Sequence, residues 1–420
     1  MQMSESGSGL SATKATGPQP MLRFLAGYRA RLLLSLYVSQ YIGMGFVFAA
    51  IPAIARSKGL SLDDIAIFYS LAMIWTLKVL WAPLMDRYQP FGGPAYRGWL
   101  IGAQLCLAAA TLACSFFDPV DHLGAVAACV AAMCFTSSVQ DVAADAVAVR
   151  LLPPEDRGIG NAVQTAGGLI GALVGAGGAV LAYEQVGWQA TLWGLAALTL
   201  LPSILILQMR SGQQQEETPA EKVTYGLIWQ FLLRPGTPRW LAVLVVAEFG
   251  LGAQIALVNP MLVDHGWNLT KIALGTALWG ALFGVSGAGM AAVLFQRFTR
   301  RAALIGALLL SAALSVPIAF YHAAAMADWQ MVVVLALYYT GWGMTTTALA
   351  TVMMDHCRAR SAGSDYSSQF SIGALIGLMG SSLALSMAET YGYTAALAAG
   401  ACSCLLAAIL AKGKGAVKAP

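Results

Sequence analysis

Asp141 and Asp145 stand four residues apart in TSSVQDVAADAVAVRLLPPEDRG (136–158), a stretch otherwise apolar enough for the interior of a membrane. On a helix such a spacing puts both carboxylates on one face, with Gln140 beside the first. An ionised side chain at mid-bilayer costs at least about 2.5–3.5 kcal/mol on insertion scales, so it normally faces a partner, a cavity or a pathway. Two more ionisable residues lie in similar surroundings, Lys78 in WTLKVLWAPLMDRY and Glu248 in LVVAEFGLGAQIALVNP. Lys78 precedes Asp86 by eight residues, Asp141 precedes Arg150 by nine, and Glu248 follows Arg239 by nine. At 1.5 Å per helical residue all of them sit roughly 12–14 Å in from a basic loop. Two chemistries fit. Lys78 can neutralise Asp141 or Asp145 and simply fix the bundle, because buried ions need partners whatever else they do. Alternatively, a carboxylate without a full-time partner takes a proton from one side and releases it on the other. Two acids facing one lysine leave one to spare, and Glu248 is a second candidate carrier.

The elements that hold these residues must be membrane helices. Of 420 residues 58% are hydrophobic and 10% charged, against about a quarter charged in soluble domains. A helix needs roughly 20 apolar residues to cross about 30 Å of hydrocarbon. Twelve such stretches are legible, at 32–55, 63–84, 98–117, 123–149, 160–182, 188–209, 239–262, 270–296, 302–321, 329–355, 366–388 and 392–411. A transmembrane barrel would need period-two alternation, which runs such as ALIGALLLSAAL (303–314) lack. The expectation is an all-α membrane protein.

Lys and Arg set its orientation. With both termini on one side, that side collects twenty basic residues, among them Arg87, Arg97, Arg150, Arg157, Arg300 and Arg358, and the other only Arg56, Lys58 and Lys271. Both termini are therefore expected in the cytoplasm. The net charge of +4 needs no nucleic acid to explain it. The first 20 residues are small and polar, as in a disordered tail, and lack the apolar core of a cleavable signal. Seven cysteines lie in or at the ends of predicted helices, where Cys acts as a small hydrophobe, and four histidines are scattered singly, so neither disulfides, a metal site nor a cofactor is expected. No nucleophile paired with a base is discernible, which argues against an enzyme.

Six spans precede and six follow the polar segment SGQQQEETPAEKVTYGLIWQFLLRPGTPR (211–239). The organisation expected is a disordered tail (1–25), a six-helix bundle (26–210), a linker (211–238), a second six-helix bundle (239–412) and a short tail (413–420). GGLIGALVG (167–175) and GALIGLMG (373–380) suggest an internal repeat with an offset near 205. Glycines four apart, as at 167, 171 and 175 or 373 and 377, let helix backbones approach closely in lipid.

This plan resembles the major facilitator superfamily, whose cavity lies between two such bundles. That family carries Gly-x-x-x-Asp-Arg-x-Gly-Arg-Arg after span 2; Asp86, Arg87, Arg97 and Gly98 are similar, with an insertion and without the opening Gly. The resemblance implies that Asp86, Arg87 and Arg97 clamp the cytoplasmic gate. Trp81, Pro83, Asp86 and Arg87 with Gln140, Asp141 and Asp145 resemble the branch holding the muropeptide permease and the siderophore permeases of the RhtX/FptX type, and AGSDYSSQFS leans toward the latter. The implied function is secondary-active import of an iron-loaded siderophore by alternating access, coupled to protons and carried out by a monomer, with a muropeptide-like sugar peptide as the alternative cargo. Since spans 1, 4, 7 and 10 line the cavity in that family, the implied contacts are Tyr37, Gln40 and Tyr41, then Gln140, Gln254, Tyr338, Tyr339 and Trp342. Aromatic faces would stack on flat groups of the cargo.

Overall fold

The computed structural model describes residues 18–71, 73–210, 223–323, 327–413, 415 and 417. Most of the N-terminal tail and residues 211–222 of the linker, with Lys14 and Lys222, therefore lie outside the described residues, as do Lys414 and Lys418 of the C-terminal tail. Where the tail enters the description it is not disordered. Pro18–Ala26 is a helix, started by prolines that need no amide partner in a first turn, and its Phe24 packs against the core while Leu22 and Leu25 stay exposed.

Among the described residues ten helices are long and apolar enough to cross a membrane, and two features raise the count to twelve. Pro154–Leu207 runs for 54 residues, about twice what a bilayer requires. It folds back at Gly187, whose φ of 78° and ψ of 179° break the helix into spans 5 and 6. Span 2 is broken into pieces too short to be counted among the ten. It comprises Leu62–Ser70, Met73–Thr76, a 3₁₀ turn Leu77–Leu80 and Ala82–Arg87. Pro83 lacks the N–H that would bond back into the preceding turn and its ring crowds that carbonyl. Lys78 consequently sits in the tight turn of a broken span, where a continuous helix was expected.

The remaining spans follow the hydrophobic runs closely. Span 1 is Tyr28–Gly45, continued through a π-helical stretch Phe46–Ala50 into Ile51–Ser57. Span 3 is Arg97–Cys114 and span 4 Leu123–Leu151. Span 5 begins with Arg157–Leu173 and loosens into a π-helix at Val174–Gly178. The second half contains Thr237–Asp264 (span 7), Gly280–Arg297 with its π-helical prelude Ala273–Trp279 (span 8), Arg300–Ala323 (span 9), Asp328–His356 (span 10), Ala362–Tyr391 (span 11) and Tyr393–Ala411 (span 12). A short helix, Gly226–Leu232, closes the linker. Large apolar side chains such as Leu105, Leu181, Leu383 and Ile409 point outward, as a lipid-facing surface requires.

The internal repeat is visible as packing. Gly168 lies against the ring of Tyr41 on span 1, and Gly373, 205 residues on, lies against the side chain of Glu248 on span 7. Gly175 presses on the carbonyl of Ile42, so that an added Cβ would come within 1.9 Å of its oxygen, and Gly380 presses likewise on Phe249 at 2.4 Å. In each half the same two spans approach backbone to backbone, which only glycine permits. The halves meet along spans 5 and 8, and along spans 2, 4 and 11.

Candidate functional site

Breaking span 2 at Lys78 turns its ammonium toward span 4. Lys78 is fully buried, and its Nζ lies 2.5 Å from Asp141 Oδ2 and 3.1 Å from Asp145 Oδ2. One helical turn separates the two acids, so a single cation reaches both. Other donors complete the cluster. Trp75 Nε1 donates to Asp141 Oδ2 at 2.9 Å, Gln40 Nε2 to Asp141 Oδ1 at 2.5 Å, and the Tyr37 hydroxyl to Asp145 Oδ1. From the other half, span 11 brings the Phe370 ring to 3.7 Å of the ammonium and the Tyr366 ring to 5.8 Å. Such contacts are favourable when desolvated.

The cluster forms one wall of a cavity of about 380 Å³ between the halves. Tyr37, Tyr41, Asp141 and Asp145 line it from spans 1 and 4, and Asn161, Gln164 and Thr165 from span 5. Opposite them are Glu248 on span 7, Trp342 and Thr346 on span 10, and Tyr366 and Phe370 on span 11. Glu248 forms no ion pair or hydrogen bond with any described residue. Three carboxylates thus line the cavity, and one ammonium is buried behind two of them. Among the described residues no three His, Cys, Asp or Glu side chains converge in a way that could hold a metal ion.

Several expected contacts lie elsewhere. Gln140 turns away from the cavity to bond the Leu36 carbonyl at 3.3 Å, because the face it occupies packs on span 1. Gln254 is wholly buried against Cys404 of span 12, Tyr338 is packed in the outer core, and Tyr339 covers Gly280 of span 8. Gln40 reaches the carboxylate cluster from behind without lining the cavity. Conversely, Trp75, Asn161, Gln164, Tyr366 and Phe370 were not anticipated. The span-5 residues stand in the sequence as the polar stripe N-x-x-Q-T between glycines, the one signal that could have found them.

The arginine-rich end of the bundle is locked. The Asp86 carboxylate accepts from the backbone N–H of Gly363 at 3.0 Å and of Ser364 at 2.8 Å, and from the hydroxyls of Ser364 and Tyr96. An anion at a helix N-terminus meets both unpaired amides and the positive end of the dipole. Asp355, at the end of span 10, receives Arg157 at 2.9 Å from span 5 and Arg300 at 2.9 Å from span 9, and Arg150 donates to the Ala359 carbonyl at 2.8 Å. Arg87, expected in the clamp, is exposed and stacks on Tyr88, and Arg97 forms no ion pair among the described residues. The loop inserted between them turns both arginines off the interface.

Known proteins match this architecture. The chain is 30% identical over 292 residues to the anhydromuropeptide permease of Escherichia coli K12, covering 68% of this chain and 59% of that permease. It is 27% identical over 321 residues to an uncharacterised protein of Haemophilus influenzae, covering 72% of this chain and 75% of the other. Among solved structures, it superposes on the transporter FucP in its outward conformation with a TM-score of 0.69 at 13% identity, covering 91% and 97% of the two chains. It also superposes on a bacterial homologue of the iron transporter ferroportin in an outward-facing state with a TM-score of 0.70 at 15% identity, covering 92% and 98%. Residues 33–381 match the profile of the Major Facilitator Superfamily, and with two packed six-helix halves enclosing a charged cavity the chain belongs to that superfamily.

Proposed function

We propose that this protein is a proton-coupled importer that carries a muropeptide-like sugar peptide across the bacterial inner membrane by alternating access. The observation that carries the coupling is Glu248. It faces the same cavity as the Lys78–Asp141–Asp145 cluster, from the opposite half, without a cation of its own. Rocking the halves together expels water and lowers the dielectric, which strengthens repulsion between Glu248 and the acids across the cavity. A proton on one carboxylate removes that repulsion and lets the cavity close. The arginine-rich lock faces the cytoplasm and holds the outward-facing state, so cargo and proton enter from the periplasm.

The cargo reading rests on the E. coli relative, which carries a muropeptide permease's name; none of the relatives named above carries a siderophore permease's. This relative supports the alternative cargo better than the siderophore implied by the motifs. A cavity of about 380 Å³ is in the range of small-molecule sites, roughly 300–1,000 Å³, and its aromatic walls suit sugar rings as well as flat chelators. Uptake of labelled anhydro-muropeptide and of a labelled ferric siderophore by proteoliposomes, with and without an imposed pH gradient, tests the cargo and the coupling together. Gradient-dependent accumulation of the muropeptide alone is expected. Accumulation of the siderophore alone, or accumulation indifferent to the gradient, refutes the corresponding half of the reading.

A further inference from the structure

Span 5 presents one stripe to the cavity, Asn161, Gln164, Thr165 and Gly168, and the polar groups on it are unequally satisfied. Thr165 donates to the Asn161 carbonyl at 3.0 Å and touches Thr347 at 3.2 Å. The Asn161 amide is fixed in orientation, since its Nδ2 donates to the Arg157 carbonyl at 2.8 Å, yet its Oδ1 has no partner. Gln164 is 7% exposed, its Nε2 has no partner, and no bond to its Oε1 is found among the described residues. An unsatisfied buried polar group costs about 1–3 kcal/mol. Two of them side by side on a cavity wall, when each could have been an apolar residue of similar size, point to a group that completes them.

Their chemistry is complementary to one functional group. Asn161 offers an acceptor of fixed orientation and Gln164 a donor, one helical turn apart, about 5–6 Å between Cβ atoms. A trans secondary amide directs its N–H and its C=O from opposite edges, as a strand does to its neighbours. A hydroxyl could satisfy either residue, but a single rigid group serving both needs a donor and an acceptor held apart in one plane. We infer that Asn161 and Gln164 form a subsite for a secondary amide of the cargo, an acetamido or peptide group, whose carbonyl accepts from Gln164 and whose N–H donates to Asn161. This deepens the muropeptide reading and rests on it for the identity of the cargo, not for the chemistry of the subsite.

The test measures binding to the full-length protein in nanodiscs by calorimetry. The probes are the peptide-free anhydro-disaccharide with its acetamido groups and the same disaccharide with hydroxyls in their place. The wild type is expected to prefer the acetamido probe about tenfold, as one or two neutral hydrogen bonds provide. In Gln164→Met, which keeps the length and loses the donor, the preference falls to within about twofold. Gln164→Leu, which is also apolar and loses the donor, gives the same result should the methionine variant unfold. An undiminished preference in both variants overturns the subsite, as does no preference, or no binding of either probe, in the wild type. A protein that shows the amide preference yet fails to accumulate muropeptide in liposomes refutes the cargo and leaves the subsite standing. Accumulation without the preference does the reverse.

Discussion

Replacing Lys78 by methionine removes the one cation of a buried cluster while keeping its length. The ammonium is fully buried, pairs with two carboxylates at 2.5 and 3.1 Å, and packs on Phe370. Deleting one partner of a buried ion pair costs about 3–5 kcal/mol, because the other is left charged and desolvated. Here the carboxylates keep other donors, Trp75 and Gln40 on Asp141 and Tyr37 on Asp145, which places the expected loss nearer 3 than 5. At about 2–4 °C per kcal/mol for chains of 150–250 residues, and about half that for this longer one, unfolding should drop by on the order of 3–6 °C. The triple variant K78M/D141N/D145N is expected to recover most of that loss. A buried ionic cluster replaced by neutral groups of the same shape is often energetically neutral; the Asn oxygens still accept from Trp75 and Tyr37, and the amide introduced at position 141 donates to Gln40 Oε1 once the Gln40 amide flips. Thermal unfolding in nanodiscs, followed by tryptophan fluorescence, checks both variants. A K78M midpoint within about 2 °C of wild type, or a triple variant less stable than K78M, would refute the assignment of Lys78 as the charge that holds this cluster together.

Glu248→Gln should abolish accumulation driven by a pH gradient while leaving exchange of cargo down its own gradient intact; loss of both would show a structural role only. Gly363→Ala places a Cβ 2.7 Å from Asp86 Oδ1 and 3.1 Å from Val142, so it should prise open the Asp86 lock. Spin labels at the exposed Arg87 and Arg297 positions, in a cysteine-free background, are expected to separate, and an unchanged distance distribution counts against the lock. Gly175→Ala and Gly380→Ala, whose added carbons meet carbonyls at 1.9 and 2.4 Å, should each cost about 1–3 kcal/mol through overpacking. Gly194→Ala on span 6 meets nothing within 4 Å and should be neutral or slightly stabilising in a helix interior; equal unfolding midpoints for all three variants would refute the backbone-contact account.

What could be read in advance follows from how each signal is written in a chain. Span positions depend on the local density of apolar side chains, and the twelve runs accordingly found their helices within a few residues, Thr237–Asp264 for 239–262 being typical. The Asp141–Asp145 pairing with Lys78 was legible too, because charge in an apolar run is scarce and depth can be counted from the basic loops. Which side of a helix meets the cavity was not, since a bundle buries every face of its inner spans and hydrophobicity no longer separates lumen from core. Gln140 and Asp141 are neighbours in sequence, yet one turns to the Leu36 carbonyl and the other to Lys78. The same limit explains Tyr338 and Tyr339, whose aromatic character suits a binding wall and an outer core equally. Contacts between halves are harder still. Asp86 meets Ser364 across 278 positions, a pairing set by the docking of two independent bundles, and nothing local in either segment encodes it. Span 5 shows the consequence for function. Its glycines are explained by close packing on span 1, but packing asks nothing of Asn161 and Gln164. Only their unpartnered atoms, Asn161 Oδ1 and Gln164 Nε2 at the cavity, are left for the amide subsite inferred above.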